Sequence, residues 1–480
     1  LRSEAGDVYP LMDFRTRDEY RHTVEKIAKS SRLAESEIAR RAVEMAQQGI
    51  TSQPDYPRTT HVGYYLVGKG VKKLEKAAGV KFSFPEKVER ACRKMPLLLY
   101  TGLSFIGALF FAGALIKQEY LLGFTNPWTI AVIGFFTLIA CSQLSITLIN
   151  WACTILVRPM VLPRMDFSEG IPETCRTLVV VPSMFNDSKE LEELVDGLEV
   201  RFLANRDPNM HFALLTDFKD SKTETRAGED DLLHEALTRI KTLNERYGKE
   251  KNEIFFMFHR PRKYNPKDRI WMGYERKRGK LAEMNALLRG DGKENFSLII
   301  GEPDLYEKVK YVITLDTDTQ LPRDSGWKIA GTMAHPMNHP FYSEKKQRVT
   351  EGYGILQPRV AVSLPTEYST LFARMHENEP GIDPYTRAIS DVYQDLFGEG
   401  SFIGKGIYDL DAFEKPLKCR IPANRILSHD LLEGSYARCG LLSDVQLYEA
   451  YPKRYEVDMK RRHRWIRGDW QIASWLWPWV

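Results

Sequence analysis

Cysteine is scarce in this 480-residue chain, and what there is lies scattered. Cys92, Cys141, Cys153, Cys175, Cys419 and Cys439 form no C-x-x-C pair and no metal-ligand spacing. That argues against a disulfide framework and fits a reducing compartment or a membrane. Net charge is nearly absent as well, with 68 basic residues against 64 acidic ones, so no nucleic-acid partner is implied. There is no initiator methionine: the chain begins at Leu1 and stops in Trp477-Pro478-Trp479-Val480. The expectation is a piece of a longer protein, with room here for two or three domains. His335 and His339 have helical zinc spacing, but prolines 336 and 340 break that helix and no carboxylate lies between them, so no zinc is expected.

Charge is missing altogether from two stretches. Leu97 to Ile116 is twenty uncharged residues, enough to cross a hydrocarbon core of roughly 30 Å. Trp128 to Val157 is a second such run, long enough to span with tilt. Lys87, Arg90, Arg93 and Lys94 precede the pair and Arg158 and Arg164 follow it, whereas the short connection from Lys117 to Pro127 has Lys117 as its one basic residue. The positive-inside rule then puts both long flanks in the cytoplasm. The expected layout is a cytoplasmic helical arm and linker (1–95), a transmembrane helix hairpin (96–158), a cytoplasmic catalytic domain (170–460) and an interfacial helix leading toward more membrane (461–480). In the arm, Tyr20–Lys29 and Leu33–Gln47 carry apolar residues at helical spacing, with Gly49 as a left-handed cap.

From about residue 170, strands alternate with helical stretches, which predicts an α/β domain with a mostly parallel sheet. Thr177–Val181 is a continuous apolar, β-branched strand that Pro182 is expected to end, and Ser188 is expected to cap the helix Lys189–Phe202. Further strands are Phe212–Thr216, closing on Asp217, then Glu253–His259 and Tyr311–Leu315. The last delivers Asp316-Thr317-Asp318 at its C-terminal end, where open α/β sheets place ligands. Two aspartates so spaced suit one divalent cation carrying a diphosphate, and a later carboxylate would serve as a base. Transfer of a sugar from a nucleotide fits these residues.

The order of motifs is Val-Val-Val-Pro, an aspartate ending the second strand, Arg278-Gly279-Lys280 with Asn285, Asp316-x-Asp318, His429-Asp430 and Arg461-x-x-Arg464-Trp465. It resembles the family 2-type processive glycosyltransferases (cellulose, chitin and hyaluronan synthases). The wording of Leu315–Pro322, Gly398–Gly406 and Ser428–Gly434 is similar to the membrane glycosyltransferase segment of bacterial cyclic β-1,2-glucan synthases. The resemblance implies a GT-A-type (Rossmann-like) fold and inverting transfer of glucose from UDP-glucose onto a growing β-glucan. It also implies Mg²⁺ or Mn²⁺ as cofactor, the bacterial inner membrane as location with the catalytic domain cytoplasmic, and transglycosylase- or phosphorylase-like domains elsewhere in the same polypeptide. Asp316 and Asp318 would be the metal ligands and Asp430 the base, although His429-Asp430 departs from the usual Glu-Asp. Asp217, Arg278, Lys280, Asp316, Arg461 and Arg464 would hold the donor and its diphosphate. Trp465, Gly400, Ser401 and Phe402 would face the acceptor. Lys277 is read as a solvated surface charge.

Self-priming is the further implication, with glucan growing on a tyrosine. Tyr385, in the Gly381–Tyr385 loop ahead of the glycine-rich motif, is the first candidate and Tyr393 the second. Two other readings stand beside this one: a processive synthase of different linkage, and a non-catalytic subunit that binds nucleotide sugar.

Overall fold

The structure, a computed structural model, describes residues 1–4, 6–52, 57–123, 126–248, 253–363, 370–375, 391–426 and 429–476. The arm is built on α1 (Phe14–Lys29) and α2 (Glu35–Ser52). Asp13 caps α1, its carboxylate accepting from Thr16 N at 2.8 Å. Gly49 does not end α2 but lies within it, because a Cβ there would collide with the Thr59 carbonyl. The apolar face of the arm (Tyr20, Val24, Ile27, Ile38, Ala42) belongs to the same buried cluster as Met165 and Met333. Backbone bonds fasten it further: Asp13 N donates to Arg164 O at 3.1 Å and Asp166 N to Leu11 O at 2.8 Å. The arm therefore packs on this chain's own α/β domain.

Two long helices follow, α3 (Pro96–Leu121) and α4 (Pro127–Leu156). They meet through small and polar residues. A Cβ at Gly107 would collide with Ser145, whose hydroxyl donates to Ser104 O at 2.8 Å, and the Tyr100 hydroxyl donates to Asn150 Oδ1 at 2.9 Å. Their outer surfaces expose Phe105, Ile106, Phe110, Phe135, Phe136 and Ile155. The most apolar window of each helix is 11% buried, which decides against the core helix of a soluble domain and points to membrane association.

The α/β domain, with two small two-stranded sheets beside it, is built on an eight-stranded sheet: β1 (Thr177–Phe185), β2 (Met210–Phe218), β3 (Phe255–Arg260), β4 (Leu298–Ile300), β5 (Tyr311–Thr314), β6 (Ile355–Val362), β7 (Gly406–Asp409) and β8 (Cys439–Glu449). Their spatial order is β8-β6-β7-β5-β1-β2-β3-β4. Antiparallel pairing in this sheet is confined to β7, with both neighbours, and to β4, so the other six strands run one way. Leu178 and Val180 face one buried cluster and Val179 and Val181 the other, the pattern of a strand covered on both sides.

Pro182 does not end β1. Val180 O still accepts from Leu315 N on the β5 side, but the β5 ladder stops at Val180. Pro182 shares that side, so its missing N–H faces no partner strand and breaks no bond.

The flanking helices are α5 (Ser188–Ala204), α6 (Glu229–Tyr247), α7 (Arg276–Leu287), α8 (Ser325–Ala334), α9 (Val392–Phe397), α10 (Asp430–Ala437) and α11 (Tyr455–Ile472). Asp187 rather than Ser188 caps α5, accepting from Glu190 N at 2.8 Å. The basic segment from Arg276 is itself the first turn of α7.

Short α9 joins the hairpin to the sheet. Tyr393 and Phe397 pack their rings against Tyr100 of α3. Asp395 accepts from Met160 N at 2.6 Å, and Gln394 bonds both N and O of Leu441 in β8.

Candidate active site

Six strands pointing one way give the sheet a common C-terminal edge, and the charged residues of the second half gather there. The turn after β5 carries Asp316 and Asp318. β8 ends at the same edge on Glu449, β7, running the other way, starts there after Gly404 and Lys405, and α7 and α10 bring Lys277 and Asp430 in their first turns. Arg201 of α5 braces the β5 turn from behind. Its guanidinium donates to Thr317 O at 2.8 Å and Thr319 O at 2.9 Å. Gln320 N donates to Tyr448 O at 2.8 Å, which ties this turn to the end of β8.

Ligand oxygens of Asp316, Asp318 and Glu449 lie within 4.8 Å of one another. Lys277 Nζ donates to Asp316 Oδ1 at 2.6 Å and to Gly404 O at 2.8 Å. Lys405 Nζ lies 2.5 Å from Glu449 Oε1 and 3.3 Å from Asp316 Oδ2. Burial alone would raise the Asp316 pKa, but the two ammonium groups outweigh it and hold the carboxyl below its usual range. Asp318 shifts the opposite way, raised by desolvation and then by Glu449 and Asp316. Lys277 therefore turns toward the carboxylate cluster and is not the solvated surface charge its basic neighbours suggested.

Asp430 opens α10 beside Gly404, whose φ of +81° and lack of a side chain let the loop approach; a Cβ there would stand 2.9 Å from Asp430 Oδ1. Burial raises the Asp430 pKa, with His429 and Lys277 opposing it. Behind it, buried His429 Nδ1 lies 2.9 Å from Glu433 and 3.5 Å from Asp430. Burial would lower the His429 pKa, yet Glu433 and Asp430 together raise it. The buried Asp430 carboxylate thus stands near a cluster of three carboxylates whose oxygens lie within 4.8 Å of one another.

The remaining candidates fall into separate places. Asp217 is 1% exposed and engaged by Arg260 at 2.9 and 3.0 Å and by Lys280 at 3.2 Å; a Cβ at Gly273 would collide with it. Lys280 also donates to Ser183 O, and its pKa falls to about 8, chiefly through burial. Arg278 pairs with Glu275 and reaches the Ile421 carbonyl.

No family model matches the chain. Over 486 aligned residues, 98% of this chain, it is 42% identical to the cyclic beta-(1,2)-glucan synthase NdvB of Rhizobium meliloti (strain 1021). The chain is a homologue of one segment of a glucan synthase. It spans 17% of that relative's length.

Gly400 N donates to Cys439 O at 2.8 Å, and Ser401 is half-buried at the start of the loop that runs on to Lys405. Phe402 lies in the core under α10, where a Cβ on Gly434 would touch it. In α11, Arg461 pairs with Asp458 at 2.7 Å and lies over the Trp465 ring at 4.8 Å, while Arg464 is exposed. Before that helix, the Tyr451 ring packs on Phe372, with centroids 6.0 Å apart. Tyr393 packs on the hairpin, and Tyr385 lies outside the described residues. His335 is buried at the arm interface, with Nε2 3.0 Å from Met12 Sδ.

Sequence reasoning missed Lys405, Glu449, Glu433 and Arg201. Lys405 sits inside the Gly404-Lys405-Gly406 motif, a signal that was available; Glu449 is visible only once β8 is seen to end beside β5.

Proposed function

We propose that this chain is the glycosyltransferase module of a β-1,2-glucan synthase, with a GT-A-type fold, cytoplasmic at the bacterial inner membrane. It would take glucose from UDP-glucose, start on a tyrosine side chain and extend a β-1,2-glucan with inversion. The observation that carries this reading is that Asp316, close to Asp318, is joined by Lys277 to the Gly404 loop and the neighbouring Asp430 at one edge of the sheet. The homology to a glucan synthase segment supports it.

The acceptor hydroxyl attacks the anomeric carbon of the donor as the bond from that carbon to the diphosphate oxygen breaks, and the electron pair leaves with UDP. Asp430 accepts the hydroxyl proton, and its raised pKa makes it a better base than an exposed aspartate. Lys277 adds positive charge between the diphosphate side and the base side of the cleft. The oxygen donors of Asp316, already drawn toward two ammonium groups, and those of Asp318, which carry no ion pair among the described residues, fit Mg²⁺ or Mn²⁺. Such an ion would neutralise charge developing on the departing diphosphate. The test is incubation of membranes containing the protein with radiolabelled UDP-glucose and Mg²⁺ or Mn²⁺, followed by a denaturing gel and mass mapping. Label on a tyrosine, lost in Asp430→Asn, is the expected result. Free polymer without protein-bound label would refute self-priming, and no incorporation at all would refute the activity.

A further inference from the structure

Besides Lys277, two charged groups in the cleft belong to neither the Asp-x-Asp pair nor the base. Glu449 closes β8, and its carboxylate accepts from the Thr319 hydroxyl at 2.6 Å and faces Lys405 at 2.5 Å. Lys405 has a 7% exposed side chain and also reaches Asp316 at 3.3 Å. Burying an ammonium is costly unless it is paired, and this one is wedged between two of three mutually close carboxylates. Asp318, the third, has no ion pair among the described residues. Three carboxylates and the two ammonium groups of Lys277 and Lys405 leave one net negative charge. A divalent cation would turn that to one net positive charge, ready for an anionic diphosphate.

We propose that Glu449 is the third carboxylate of the cation site and that Lys405 is its resident counter-charge. Lys405 keeps Asp316 and Glu449 together until a divalent cation takes over the same oxygens. The backbone bond from Gln320 to Tyr448 sets the spacing in advance, because it holds the β5 turn against the end of β8. This inference rests on the reading of Asp316 and Asp318 as cation ligands.

The experiment is titration of Mn²⁺ alone into the detergent-purified full chain, with free Mn²⁺ read by its electron paramagnetic resonance signal and folding checked by thermal melting. Wild type should bind, and Asp318→Asn should lose binding. Glu449→Gln should weaken binding by roughly tenfold or more, the size seen when groups supporting a metal site are removed. Lys405→Met should bind Mn²⁺ more tightly than wild type, a gain that misfolding cannot produce; Lys405→Gln repeats the test if Lys405→Met does not fold. Glu449→Gln binding like wild type while Asp318→Asn does not bind would overturn this inference and leave the underlying reading standing. Weaker binding by a folded Lys405 variant would overturn the counter-charge role. Absence of Mn²⁺ binding by wild type would overturn the underlying reading itself.

Discussion

Replacing Asp217 with asparagine keeps the shape of the side chain and removes the one negative charge between two buried cations. In the wild type its carboxylate takes both arms of Arg260 and the ammonium of Lys280. Arg260 keeps Glu283 at 2.8 Å as a second partner, whereas Lys280 is left with the Ser183 carbonyl. The Lys280 pKa falls from 10.5 to about 8 even with Asp217 present, a cost of about 3 kcal/mol for keeping it charged at neutral pH. Breaking a buried pair from one side typically costs about 3–5 kcal/mol. At about 2 °C per kcal/mol for a domain of this size, the melting midpoint should fall by about 6–10 °C.

The deficit should also depend on pH with a definite sign. Without Asp217 the folded-state pKa of Lys280 drops further, so folded Asp217→Asn releases the Lys280 proton at a lower pH than folded wild type does. The unfolded chain, with an ordinary lysine, keeps it. Stability rises with pH wherever the unfolded state binds more protons, so the variant recovers ground as pH rises toward about 8 and runs parallel to wild type above that. Thermal melts of the detergent-purified protein across pH 6 to 9, followed by tryptophan fluorescence, measure both effects. A loss under about 1 kcal/mol, or a deficit that does not change with pH, would refute the account of Asp217 as the charge that holds this network.

Asp430→Asn should lower transfer by about 10²–10⁴-fold with little change in the KM for donor. Wild-type activity should climb as pH rises through the raised Asp430 pKa, because the base works only when ionised; a profile already flat well below the usual aspartate range would count against that role. Ionising a carboxyl whose folded-state pKa is raised costs stability at higher pH, so Asp430→Asn should melt no lower than wild type at pH 7. Gly404→Ala puts a Cβ against the Asp430 carboxylate at φ +81° and should cost roughly 1–2 kcal/mol in melting measurements, together with most of the transfer activity. Alkaline carbonate washing of membranes should leave the full chain in the pellet and release a chain lacking 96–158; release of both would remove the hairpin from the membrane.

Much of the sheet was legible because buried parallel strands announce themselves locally: Thr177–Val181, Phe212–Thr216 and Tyr311–Leu315 are apolar, β-branched or aromatic runs of strand length. The hairpin was legible for a similar reason, since a charge-free run is a one-dimensional signal. Strand ends were harder. Pro182 looked like a stop, and it continues β1 because the neighbouring ladder ends first, which is a fact about β5. The same limit applies to the cleft. Asp316 and Asp318 share a tripeptide, but Lys277, Lys405 and Glu449 reach them from three other elements, and nothing in a basic run such as Arg276–Lys280 tells which cation turns inward. Gly49 shows the converse error: a local end signal was taken for a cap, whereas the residue is there to let Thr59 approach.

The six residues of α9 have a mechanical consequence. On one side they press Tyr393 and Phe397 against Tyr100 of the hairpin; on the other, Gln394 grips Leu441 of β8, and the chain runs on at once into Gly398 and Gly400. A hairpin that tilts to match a thicker or thinner bilayer would pull through this lever on β8, the strand that ends at Glu449. If the chain is the transferase proposed above, lipid thickness would be an input to its rate, and turnover in proteoliposomes of graded acyl length should follow it, with Gln394→Ala flattening the response.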